Sequence, residues 1–126
     1  MELLLVRHGQ TAWNAGEIFR GRVNVELDDV GRRQAELLGD YLARPAIDAV
    51  YSSPLKRSLD TAMSIAAPHN VPVKVSHGLA YMSFGRWEGV QLEEVKRLYP
   101  AEYAVWSDHP ADWKVPGAET LHDVRL

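Results

Sequence analysis

The chain contains no cysteine. Disulfides, thiolate metal sites and a cysteine nucleophile are thereby excluded. Positive charge is not in excess: 14 Lys and Arg stand against 17 Asp and Glu, a formal net charge of -3. That balance predicts no nucleic-acid partner, although a local basic pocket is compatible with it. Long apolar runs are missing too. The opening run Leu3-Leu4-Leu5-Val6 is bounded by Glu2 and Arg7, which is far too short for a membrane span or a signal peptide. No repeat or low-complexity tract occurs. The expectation is a cytoplasmic protein with no membrane partner. What remains, 126 residues of which 46% are hydrophobic and 25% charged, suffices for one domain with a modest core.

Hydrophobic patterning predicts alternating strands and helices. Leu3 to Val6 reads as a buried strand, because it is apolar without alternation. Thr11 to Asp28 reads as a long polar loop. Asp28 or Asp29 could cap a helix to about Ala43, with Val30, Leu37, Leu38, Tyr41 and Leu42 on its apolar face. Ala49-Val50-Tyr51 is the second predicted strand. Ser53-Pro54 then looks like an N-cap and first helical position, followed by Leu55, Leu59, Ala62, Met63 and Ala66 at helical spacing. Pro68, Asn70 and Pro72 end that helix, and Val73 to Val75 forms a third strand. Phe84 to Gly89 is a loop. A helix over Leu92, Val95, Leu98 and Tyr99 ends at Pro100, and another follows from Ala101 to Trp106. Trp87, Trp106 and Trp113 are expected in the core. Asp108 to Gly117 reads as a loop, and Glu119 starts a helix just before the chain stops at Leu126. Alternating units of this kind imply a mainly parallel sheet covered by helices.

The chemistry concentrates at two strand-to-helix junctions. Arg7-His8-Gly9 closes the first strand, where α/β proteins place their sites. Arg57 lies in the first turn of the helix after the second strand, on the same expected sheet edge. Two guanidiniums, an imidazole and a helix N-terminus suit a phosphate. Read alone, Arg57 is better explained as a solvated helix residue next to Lys56, and Arg7 and His8 could merely close a strand. His69, His77, His109 and His122 form no metal-ligand spacing, so neither metal nor cofactor is expected.

Arg7-His8-Gly9-Gln10-Thr11-Ala12-Trp13-Asn14 resembles the RHGxTxWN signature of the histidine phosphatase superfamily, which includes the phosphoglycerate mutases and the broad-specificity and α-ribazole phosphate phosphatases. Leu27, Gly31 and Gln34-Ala35 are similar to its next helix. Tyr51-Ser52-Ser53-Pro54-Leu55-Lys56-Arg57 with Thr61-Ala62 resembles its SSPLxR…TA segment. Phe84-Gly85-Arg86-Trp87-Glu88-Gly89 resembles FGxWEG, and Pro116-Gly117-Ala118-Glu119-Thr120 resembles PGGES. The resemblance runs through nearly the whole chain in order.

It implies a phosphoglycerate mutase-like α/β fold, a three-layer, mainly parallel sheet flanked by helices, over a single domain spanning residues 1–126. It implies His8 as the nucleophile that takes the phosphoryl group. Arg7, Asn14 and Arg57 would bind phosphate oxygens, and Arg20, in the loop over the pocket, could read a substrate anion or be solvated. Trp13 and Phe19 are expected to pack, and Glu88 to serve its loop. Two positions depart from the family pattern. Where relatives carry LxEMxFG with a general-acid Glu, this chain has Leu79-Ala80-Tyr81-Met82-Ser83-Phe84-Gly85, so Tyr81 stands at the acid position. The second histidine, in a C-terminal HG motif, has no counterpart, and the expectation is a domain lacking its C-terminal part. The resulting reading is a phosphomonoester hydrolase of the phosphatase branch, working through phosphohistidine on a small phosphorylated metabolite. The alternatives are a phospho-ligand-binding pseudoenzyme and a phosphoglycerate mutase. A homodimer is left open.

Overall fold

The computed structural model describes residues 1–125. Two compact units make up the chain, Met1–Ala12 with Asn24–Ala80, and Trp13–Val23 with Tyr81–Leu126. A short helix, α1 (Ala12–Ala15), interrupts the predicted long loop.

In the first unit the long helix α2 spans Asp29–Tyr41 and is capped by Asp28, whose carboxylate accepts from the Gly31 N–H. Its buried positions are Gly31, Ala35 and Gly39; of the predicted apolar stripe, Leu42 is buried in the core and Leu38 packs against it. Val30, Leu37 and Tyr41 are 52%, 51% and 78% exposed. Small side chains let a backbone approach closely, and that consideration outweighs side-chain apolarity here. At Gly31 an added Cβ would stand 2.0 Å from the Gln10 carbonyl oxygen, so no larger residue fits.

Strands β1 (Val50–Ser52) and β2 (Val73–Val75) pair in parallel, Val50 opposite Val73 and Ser52 opposite Val75. Helix α3 (Lys56–Ala66) connects them, continued by a tight 3₁₀ turn, Ala67–His69. Asn70 then turns the chain with φ of 54°, a conformation asparagine tolerates better than most residues. The core of this unit is Leu42, Val50, Ala62, Ile65 and Ala66. Met63 departs from prediction, being 58% exposed. Helix α3 also begins later than the Ser53-Pro54 signal implied. Its leading N–H, on Lys56, is capped by Asn24 Oδ1 at 2.8 Å, a cap supplied from a distant loop that local sequence cannot announce.

The predicted strand Leu3–Val6 is a correction. Among the described residues it pairs with no other strand, and its side chains are 43–88% exposed. An unbroken apolar run signals a strand covered on both faces; in this structure neither face is covered.

The second unit is held by aromatic packing. Trp87 and Trp113 are 0% and 1% exposed, joined by Met82, Phe84, Val95 and Val115. Phe19 and Trp106 pack against them, as expected. The rings meet edge to face, with Trp87 to Trp113 and Trp106 to Trp113 both at 5.0 Å between centroids, an arrangement worth more than area burial alone. Helices α4 (Leu92–Leu98) and α5 (Pro100–Asp108) supply Val95, Tyr103, Val105 and Trp106 to this cluster, and α6 (Leu121–Val124) follows later in the chain. The predicted loops at 84–89 and 108–117 each contain one 3₁₀ turn, Gly85–Trp87 and Pro110–Asp112. Helix α6 opens with a reciprocal cap in which Thr120 and Asp123 bond each other's backbone. No helix among the described residues is long and apolar enough to cross a membrane.

Candidate active site

Local hydrogen bonding determines where His8 sits. Gln10, two residues on, donates its N–H to Gln34 Oε1 at 2.8 Å and its side-chain amide to Asp28 at 3.0 Å, and its carbonyl accepts from the Asp28 N–H at 3.0 Å. The segment after His8 is thus laced to the N-terminus of α2. The Gly9 N–H is buried and donates to Thr61 Oγ1 at 3.1 Å, and that hydroxyl donates onward to the Arg57 carbonyl at 2.8 Å. Thr61 therefore ties His8-Gly9 to the turn of α3 that carries Arg57.

His8 is half-buried, and its Nδ1 lies 2.6 Å from the Gly9 carbonyl oxygen. A carbonyl only accepts, so Nδ1 carries a proton in this contact. That contact fixes the orientation of the imidazole ring. A cavity of about 250 Å³ is lined by Arg7, His8, Gly9, Gln34, Ala35, Leu38 and Thr61. Arg7 is exposed at its edge. Arg57 is 1% exposed, which rules out its reading as a solvated helix residue. A guanidinium so far from water favours an anion beside it. Next to it, Lys56 pairs with Glu26 at 2.7 Å. That hydrogen bond holds the Glu26 carboxyl below its ordinary range and the Lys56 ammonium above its own.

The remaining expected site residues lie in the second unit. Asn14 is half-buried on α1. Arg20 and Tyr81 line one cavity of about 190 Å³, together with Ile18, Phe19, Gly21, Phe84 and Trp106. Tyr81 is 51% exposed. Glu88 serves its loop: its Oε1 accepts from the Phe84 N–H at 3.0 Å, the Arg22 N–H at 3.2 Å and the Ser83 hydroxyl at 3.2 Å. Glu119 does similar work nearby. It accepts from the Ser83 N–H at 2.9 Å and pairs with Arg22 at 2.8 Å, and Arg22 Nε also donates to the Tyr81 carbonyl at 3.1 Å. Arg22 and Glu119 escaped the sequence reading as braces of this segment; as surface-type residues far apart in the chain they carry no local signal. Thr61 appeared there only as part of a motif. Among the described residues no group of three or more His, Asp or Glu side chains gathers as a metal-binding set.

The description "Histidine phosphatase superfamily (branch 1)" matches residues 3–126. The chain is 36% identical over 124 residues to phosphoserine phosphatase 1 of Hydrogenobacter thermophilus, covering 98% of this chain and 59% of that protein. It is 35% identical over 122 residues to the glucosyl-3-phosphoglycerate phosphatase of Mycolicibacterium vanbaalenii, covering 97% of this chain and 54% of that one. Among solved structures, a mycobacterial glucosyl-3-phosphoglycerate phosphatase in complex with VO3 superposes with a TM-score of 0.83 at 30% identity, over 93% of this chain and 58% of its own. The chain thus spans little more than half the length of the relatives it matches. The fold is phosphoglycerate mutase-like α/β.

Proposed function

The chain belongs to the histidine phosphatase superfamily, branch 1, and on that premise we propose that it carries the phosphoryl-accepting half of a phosphomonoester hydrolase acting on small phosphorylated metabolites. The relatives just described are named as phosphatases of such compounds. The observation that carries the reading is the placement of His8, whose Nδ1–H donates to the Gly9 carbonyl, in one cavity with Arg7 and tied through Gly9 and Thr61 to the turn carrying Arg57. Nε2 attacks phosphorus, a P–N bond forms, and the P–O bond to the leaving alcohol breaks. Water then attacks the phosphohistidine, giving inorganic phosphate and restoring His8. Arg7 and Arg57 are assigned to the phosphoryl oxygens, where their charge offsets that of the transition state. Asn14 is assigned a hydrogen bond to the same group, and Arg20 is a further candidate for a substrate anion. The vanadate complex of the mycobacterial relative supports oxyanion binding in this fold.

Tyr81 occupies the acid position. A phenol with a reference pKa near ~10 is a weak proton donor at neutral pH, and a positioned acid contributes about 10²–10⁴-fold. That substitution favours a second reading, a phosphate-binding module that turns over poorly. Hydrolysis of an aryl phosphate separates the two, because its leaving group needs little protonation. The expected outcome is phosphate release that disappears in His8→Ala. Saturable phosphate binding by a folded chain without release would establish the binding module instead.

A further inference from the structure

Two polar groups of a single peptide bond meet at the candidate nucleophile. The Gly9 carbonyl that receives His8 Nδ1–H and the Gln10 N–H belong to the same peptide unit. That unit is planar and trans, so its C=O and N–H point in opposite directions. Fixing one of them fixes the other. The Gln10 N–H donates to Gln34 Oε1 at 2.8 Å, and His8 Nδ1 lies 2.6 Å from the carbonyl on the far side of the plane. Two hydrogen bonds thus run in series from α2, through one peptide, to the imidazole. They reinforce each other, since donation by the N–H makes the carbonyl a better acceptor.

This peptide needs a restraint. Gly9 precedes it, and glycine leaves the following plane free to rotate. A Cβ on Gly9 would run into the Gly31 carbonyl, so a larger residue cannot remove that freedom. The adjoining planes are held separately, the Gly9 N–H by Thr61 Oγ1 at 3.1 Å and the Gln10 carbonyl by the Asp28 N–H at 3.0 Å. Leu3–Val6 pairs with no other strand among the described residues, so no strand ladder there places His8 from the other side. The plane between Thr61 and Asp28 answers to Gln34. Gln34 is exposed on α2 and lines the same cavity as Arg7 and His8.

We propose that Gln34 is a positioning residue: through the Gly9–Gln10 peptide it sets the direction of the His8 imidazole. That this direction serves phosphoryl transfer rests on the phosphatase reading; the coupling of Gln34 to the ring does not. The test compares Gln34→Met, which keeps the length and removes the acceptor, with Gln34→Glu, whose carboxylate accepts the same N–H. NMR of the ring nitrogens, assigned with His8→Ala, follows the His8 Nδ1 proton, and aryl phosphate hydrolysis gives kcat and KM. In Gln34→Met the Nδ1 proton is expected to exchange with water about tenfold faster, the order set by one hydrogen bond. The value of kcat should fall about tenfold with KM little changed, because the groups assigned to phosphate are untouched. Gln34→Glu should retain both.

A merely structural role would lower the melting temperature and leave the Nδ1 proton and kcat alone. If Gln34→Met does not fold, Gln34→Ala carries the test, alanine being the best helix former. An unaltered Nδ1 proton or an unaltered kcat in the folded variant, or an equal loss in Gln34→Glu, overturns the positioning role. An Nδ1 proton that depends on Gln34 in a chain without aryl phosphate hydrolysis leaves the positioning standing and overturns the hydrolase. Hydrolysis with a proton indifferent to Gln34 does the reverse.

Discussion

Thr61 has one hydroxyl with two obligations. It accepts from the buried Gly9 N–H and donates to the Arg57 carbonyl. Thr61→Val keeps the shape and removes both bonds, leaving a buried N–H unsatisfied. The expected loss is about 1–3 kcal/mol in denaturant unfolding, with Thr61→Ser near the parent. Equal stability of the valine variant would show that the Gly9 amide finds another acceptor. His8 and Arg57 entered the sequence reading through their position at strand ends, but their roles came from the motif resemblance. Residue type alone left Arg57 ambiguous with a surface arginine, and only its burial separates the two.

The cap of α2 was legible in the sequence. Asp28 caps α2 as its position before the apolar pattern suggested, because the cap is a local interaction written in adjacent residues. Val73–Val75 likewise formed the predicted strand. The inward face of α2 was legible only at Leu38 and Leu42, because Gly31, Ala35 and Gly39 contribute little hydrophobicity while allowing close approach. The cap of α3 was misplaced for the complementary reason, its partner Asn24 lying 32 residues upstream of Lys56. At α6, hydrogen bonds from the Thr120 backbone N–H and then its hydroxyl hold the Asp123 carboxyl below its ordinary value of 3.8. The folded pKa is depressed, so the cap is fully present above pH 3.8 and is lost as pH falls through the lower folded value. A pH titration of the Thr120 amide resonance should therefore show a midpoint under 3.8. A midpoint at or above that figure would mean that the capping box is not populated in solution.

Over the molecule as a whole, the largest departure from the sequence reading is Leu3–Val6, apolar and uncovered. Exposed contiguous apolar chain with unpaired backbone is an association hazard. Leu5 is 88% exposed, so Leu5→Lys removes apolar surface without opening a cavity. Light scattering of the concentrated chain should fall in this variant while its melting temperature stays within a degree or two, as for ordinary surface substitutions. Unaltered scattering would place the association elsewhere, and a large fall in melting temperature would show that Leu5 is packed in solution.

The Arg22–Glu119 pair joins residues 97 positions apart. The second unit combines Trp13–Val23 with Tyr81–Leu126, so its early segment has no partners when it leaves the ribosome. Phe19 must wait for Phe84, Trp87 and the tryptophans beyond. Closing so long a loop carries an entropic cost that precedes any reward from packing. During synthesis the aromatic unit therefore assembles late, after the strand–helix–strand segment between its two halves is complete.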